Sequence, residues 1–299
     1  MLNGQRVILY TVAGRRRYLP IISHYVHAER GVIDEWHLWI NTKDEEDIKF
    51  MEGMERASDG FIKTVQSNDS GLGEIGSMGG IRSFYRNDTI EPDTVYLRVD
   101  DDIVYVDDHA FETLARFRID NPDYFLITAN MTNTGLCSHL HQRMGLFPRP
   151  KGKFDIIPWT SEGGPLHWSV NMATIIHDQF IKDIIAGNLE PWKAYERWEL
   201  WESPRFGIAC CAFFGRDILG LIDGWEGEDD EIFFTEIYPP RIGRINCICG
   251  KALIGHYAYC PQRNSGLESQ TVPVIEGDDD TIPANILNRF RKLAGVACE

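Results

Sequence analysis

The chain has 299 residues, 43% of them hydrophobic and 11% aromatic, enough for a sizeable core in one large domain or two small ones. A formal net charge of -15 argues against a nucleic-acid partner, while leaving room for a local basic pocket that takes a small phosphate ligand. No run of about eighteen apolar residues predicts a membrane span, and the start MLNGQRVILYTV lacks the regions of a signal peptide.

RVILYTV (6–12) predicts a first buried strand, and GRRRYLPIISHYVHAER (14–30) carries a helical apolar pattern. EWHLWIN (35–41) predicts a second strand, followed by an acidic helix over 43–58 and a third strand, FIKTVQ (61–66). A glycine-rich piece, SGLGEIGSMGG, leads into a short helix over 81–88. TVYLRVDDDIVYV (94–106) predicts a fourth strand, then come a helix over 108–120 and the strand YFLIT (124–128). Strands alternating with helices imply an α/β fold with a mostly parallel mixed sheet. From 130 to 205 the sequence reads as loop-rich, with many Gly, Pro and Trp; FGIACCAFFGRDIL (206–219) resumes buried structure, and the tail ends in an amphipathic helix. No repeat or low-complexity linker divides the chain. One domain over 1–299 is expected, with a nucleotide-type half (1–108), an acceptor-type half (109–270) and a C-terminal tail and helix (271–299).

Within the fourth strand, Asp100, Asp101 and Asp102 interrupt an apolar run. Buried carboxylates need pairing, protonation or a cation. Two carboxylates one residue apart suit magnesium or manganese, which take few protein ligands and complete their shell with substrate phosphates. The other reading is a solvated turn. Ligands of such sheets sit beyond the carboxyl ends of the strands, where this triplet falls.

A second acidic cluster lies in DGWEGEDDEIFF (223–234). Acids there suit the first turn of a capped helix. With Trp225 just before them they also suit a sugar, whose apolar face packs on an indole while carboxylates accept its hydroxyl hydrogens.

Together the two clusters resemble a GT-A-fold, nucleotide-sugar-dependent glycosyltransferase. VDDD after a buried strand resembles the Asp-x-Asp metal motif, with Asp100 and Asp102 at its ends, and GWEGEDDEIF is similar to the Gly-Trp-x-Gly-Glu-Asp-Asp segment of beta-galactosyltransferases. The resemblance implies a GT-A-like Rossmann-type fold, a UDP-sugar donor and a Mn2+ (or Mg2+) cofactor. It implies Asp100, Asp102 and, downstream, His256 as metal ligands, Asp229 as catalytic base, and Glu228 with Trp225 for the acceptor sugar. It places Asp101 at the nucleotide ribose. The loop TVAGRRRYL would meet uracil and ribose through Thr11, Val12 and Ala13, with Arg15, Arg16 and Arg17 near phosphates. Asn41 and Thr42 are further donor-side candidates. Arg82 and Arg86, four apart and so on one helix face, would touch ribose or diphosphate, or form a surface pair. His167 and Trp168 would lie by the transferred sugar. The absent membrane anchor is more like soluble bacterial enzymes, or those of large DNA viruses of algae, than Golgi members. A cytoplasmic location, the host's if viral, is expected; seven cysteines, an odd number, fit reduced thiols there.

GLGEIG (71–76) matches the dinucleotide fingerprint but does not form the first strand-to-helix turn. Cys247, Cys249, Cys260 and His256 offer a zinc site, against strand cysteines in a core. The expectation is a metal-dependent transfer of a hexose from UDP-glucose or UDP-galactose to a glycan or glycoprotein acceptor, with inversion. The alternatives are a retaining enzyme of the same fold, a sugar nucleotidyltransferase, or a non-catalytic carbohydrate-binding protein.

Overall fold

The computed structural model describes residues 1–66, 78–86, 89–147, 157–159, 163–221, 225, 229–272 and 285–298. The glycine-rich match at 71–76 therefore lies outside the described residues, as does Glu228.

The first half alternates as expected. Strand β1 (Val7–Ala13) is followed by helix α1 (Leu19–Ala28), β2 (Glu35–Ile40), α2 (Glu45–Arg56), β3 (Ile62–Gln66), α3 (Met78–Tyr85) and β4 (Val95–Val99). Each element has a local cause. Pro20 opens α1, where its missing N–H costs nothing. Asp44 caps α2 by accepting from the Glu46 and Asp47 amides at 2.8 and 3.1 Å, and acids fill its first turn. Only Met51 of α2 is fully buried, so this helix rides on the surface.

The chain then diverges from the expected fourth strand. Instead of one strand over 94–106 there are two, β4 and β5 (Ile103–Val106), with a turn at the three aspartates. β4 pairs with β1, whereas β5 pairs antiparallel with β9 (Asn246–His256), which β6 (Ile127–Thr132) and β8 (Cys210–Phe214) separate from β4.

The sheet runs β3-β2-β1-β4-β8-β6-β9-β5, with β7 (Arg197–Leu200) also paired to β9. β1, β2, β3, β4, β6 and β9 run in one direction, while β5, β7 and β8 oppose them. This is a Rossmann-type α/β sheet flanked by helices. Alternation along β1 serves two cores: Val7 and Leu9 face one, Ile8 and Tyr10 the other. Helix α4 (Ala110–Asp120) covers the first side.

Loops were expected from 130 to 205. The structure has helix α5 (Gly135–Arg143) and a sixteen-residue helix, Val170–Ile185, instead. The latter packs with the C-terminal helix Ile286–Leu293 in a third apolar cluster. Its sequence, VNMATIIHDQFIKDII, has helical periodicity that the surrounding Gly, Pro and Trp obscure. Cys247 and Cys249 are buried in β9 while Cys260 is exposed, so the core reading of the strand cysteines fits. Among the described residues no helix is long and apolar enough to cross a membrane.

β9 carries an irregularity where its pairing with β6 jumps from Cys249 to Leu253. Gly250 sits there, and an added Cβ would fall 2.0 Å from the Tyr195 carbonyl oxygen. Gly250→Ala is expected to destabilise the fold by about 2 kcal/mol or more, read as a lower urea midpoint; an unchanged midpoint would contradict this packing.

Candidate active site

The sheet topology creates one charged cleft. Pairing of β1 with β4 stops at Tyr10 and Arg98, while pairing with β2 continues to Ala13 and Ile40. The chain leaving β1 is thereby brought beside the acidic turn. There the Gly14 amide donates to Asp101 Oδ2 at 3.1 Å, and Arg15 donates to Asp101 Oδ1 and, at 3.2 Å, to Asp102 Oδ2. The register Ile103↔His256 brings the end of β9 to the same place, and the Tyr257 amide donates to the Asp102 carbonyl at 3.0 Å. Arg263, on the short helix Cys260–Asn264, donates to Asp102 Oδ2 at 2.6 Å.

Arginines thus supply counter-charge to these acids. Arg98 completes the set. It lies on β4 facing the second core, donates through Nε to Asp100 at 3.1 Å and pairs through Nη1 with buried Asp230. Removing one member of a buried pair of this kind typically costs about 3–5 kcal/mol, so Arg98 ties the end of β4 to the second acidic segment. Asp101 faces Arg15 and Gly14 and is 2% exposed.

Asp229 is the N-cap of the short helix Asp230–Ile232. Its Oδ1 accepts from the Ile232 amide at 2.6 Å and its Oδ2 from Arg205 at 2.9 Å, while Arg205 also holds Glu231 at 2.6 Å. The capped-helix reading of these acids is therefore realised. It does not remove Asp229 from the cleft: Asp100, Asp102, Asp229 and His256 all line one cavity of about 300 Å3, with Arg15, Arg205 and Arg263.

Other expected residues are placed differently. Trp225 is not an open sugar platform: it is 9% exposed, stacks on Phe233 with centroids 4.9 Å apart, and has the Arg82 guanidinium 4.8 Å from its ring centre. Arg82 and Arg86 do not share an environment; Arg82 is buried and Arg86, just past the end of α3, is exposed. The Thr11 hydroxyl accepts from Trp36 in the core at 3.0 Å, so only the backbone of Thr11, Val12 and Ala13 stays a candidate for base contacts. Arg16 pairs with Asp44 and Asp47, and Arg17 with Glu268. Asp107 pairs with Lys193 at 2.7 Å, just ahead of α4. His167 lines the cleft; Trp168 is 65% exposed beside it. Arg98, Arg205 and Arg263 were missed. A lone arginine inside the apolar VYLRV is the one signal that could have marked the first; nothing near Arg205 or Arg263 marks them.

Burial pushes the Asp100 carboxyl up to about 6, with Asp102 adding repulsion and Arg98 opposing it. Burial acts the same way on Asp102, but neighbouring positive charge, that of Arg15 foremost, outweighs it and holds that carboxyl below the usual range. Burial lowers His256, against the pull of Asp102. The Asn133 carbonyl faces His256 Nδ1 at 3.3 Å and can only accept, so Nδ1 carries the proton. Nε2 then presents a lone pair 3.9 Å from Asp102 Oδ1.

That pair of atoms fits a hard divalent cation in chemistry. Among the described residues no three ligand-type side chains converge. The protein would therefore supply Asp102 and His256, with Asp100 nearby, and leave most of the shell to phosphate and water.

No protein-family model matches the chain, and no curated protein matches it. Among solved structures, a mycobacterial protein is similar at 10% identity and a TM-score of 0.45, over 99% of this chain and 77% of that one.

With its pKa raised from 3.8, Asp100 binds a proton more readily folded than unfolded, so its contribution to stability is lost as pH rises from about 4 through about 6. Without divalent cations, Asp100→Asn is expected to raise Tm more at pH 7.5 than at pH 4.5. An equal or reversed difference would contradict the buried setting of this carboxylate.

Proposed function

We propose that the chain is a metal-dependent glycosyltransferase that moves a hexose from a UDP-sugar, UDP-glucose or UDP-galactose favoured, to a hydroxyl of a glycan acceptor. The observation that carries the reading is convergence. The family resemblance singles out Asp100, Asp102, Asp229 and His256 from three separate stretches, and all four line one cleft at the carboxyl end of β4. The Rossmann-type sheet supports it, since ligands of such sheets bind at that edge.

The uridine would lie along the β1 end, against the backbone of 11–13. Arg15 and Arg263 would meet the diphosphate, which competes with Asp101 and Asp102 for their guanidiniums. Asp102 and His256 would hold Mn2+ or Mg2+, with Asp100 added by the resemblance alone, and the ion would neutralise charge on the leaving diphosphate. Asp229 takes the proton of the acceptor hydroxyl as its oxygen attacks the sugar C1 in line. Ile232 and Arg205 pin the two oxygens of that carboxylate in place, and each oxygen keeps a lone pair for the acceptor. Trp225, being packed, would orient the acidic segment from beneath. Glu228 is assigned to the acceptor by resemblance alone. The contact of Arg205 with Asp229 favours a second reading, in which Asp229 binds the acceptor without acting as base and configuration is retained.

With UDP-glucose or UDP-galactose and manganese, Asp229→Asn is expected to slow UDP release by about 100-fold or more, and Asp102→Asn to abolish its dependence on manganese. Unchanged turnover in Asp102→Asn would remove the metal role. The first-formed anomer should be inverted; retention would sink the base assignment to Asp229.

A further inference from the structure

A second cavity, of about 270 Å3, opens beside β7 and is lined by Trp159, Trp198, Trp201, Glu199, Glu202 and Pro204. Three of the chain's eight tryptophans meet there. Trp201 is 72% and Trp159 39% exposed, a poor use of large apolar rings unless something covers them.

The exposed ring of Trp201 is also oriented. Its indole N–H donates to Glu199 Oε2 at 3.1 Å, and the Tyr124 hydroxyl donates to the other oxygen of the same carboxylate. An exposed aromatic held in one orientation is a pre-organised surface, which lowers the ordering cost of binding. Glu202 adds a solvent-facing carboxylate beside it. Among the described residues that line the cavity, none is cationic. Arg197, outside the lining, pairs with Glu199 at 3.7 Å; a neutral polyol matches both the rings and the carboxylates, with ring C–H faces on indole and hydroxyls on carboxylates.

The cavity and the cleft are lined by consecutive residues of the chain. Pro204 lines the first, and the next residue, Arg205, lines the second and holds Asp229. We infer that the Trp159–Trp198–Trp201 groove is a binding subsite for the distal sugars of a neutral oligosaccharide acceptor. Its place on the acceptor side rests on the glycosyltransferase reading, whereas sugar binding by the groove does not.

The test uses the full chain without donor or metal. Tryptophan fluorescence and saturation-transfer NMR would be followed against maltopentaose, cellopentaose, mannopentaose and xylopentaose. At least one should bind, and Trp201→Ala should weaken it by about tenfold or more, equivalent to about 1.4 kcal/mol. Trp159→Ala, also at an exposed position, should weaken it too. Binding by none of the four, or binding that survives both tryptophan variants, would overturn the inference. So would Trp201-dependent binding of a decaproline peptide with no sugar binding, which would assign the groove to a protein partner. Sugar binding that needs Trp201, in a protein without UDP-sugar turnover, would support the groove while removing the transferase reading.

Discussion

The structure turns on one electrostatic constraint: of three consecutive aspartates at the end of β4, Asp101 and Asp102 are buried and Asp100 is half-buried, and each is matched by arginine. Asp101 meets Arg15, Asp102 meets Arg15 and Arg263, and Asp100 meets Arg98. An uncompensated buried charge costs several kcal/mol, and a stable domain has only about 5–15 in total. The carboxylates can therefore occupy this turn only when the arginines arrive. They come from the loop after β1, from β4 itself and from a helix beyond β9, so the charge balance forms only once the sheet has assembled.

On the proposed function, the same constraint would prepare the cleft for a ligand. A site where guanidiniums and carboxylates are already neutralised by one another is poised for exchange. A diphosphate offers the arginines new acceptors, and a divalent cation offers the carboxylates and the Nε2 lone pair of His256 a new partner. Asp100 is the least well compensated of the three acids, as its raised pKa reflects. Across the cleft, Arg205 clamps Asp229 and Glu231, while Arg98 joins their neighbour Asp230 to Asp100, so the two acidic segments are tied together.

Much of this was legible in the sequence, for reasons that differ by element. β1 to β4 and their helices follow from apolar periodicity and turn chemistry, because parallel strands buried on both faces read as continuous apolar runs. The acidic turn was visible as an anomaly, but not as the place where one strand becomes two. Val95–Val99 and Ile103–Val106 both have the pattern of a buried strand, and only the distant partner of each, β1 or β9, separates them. Counter-charges were illegible for the same reason: Arg263 reaches Asp102 through the β5–β9 register, which no local pattern encodes. Trp225 shows the opposite error. Its neighbours in sequence suggested a sugar platform, whereas Phe233 and Arg82 cover it in space. The aromatic groove at 198–204 went unread because its tryptophans look like core residues until their exposure is known.

The central claim is that this arginine-balanced acidic turn is a nucleotide-diphosphate and metal site. Calorimetric titration of UDP into the full chain, with and without manganese, tests it most directly. Saturable UDP binding that manganese strengthens and that Asp102→Asn uncouples from manganese is the predicted result. No UDP binding in either condition, or binding indifferent to both manganese and Asp102, would contradict it.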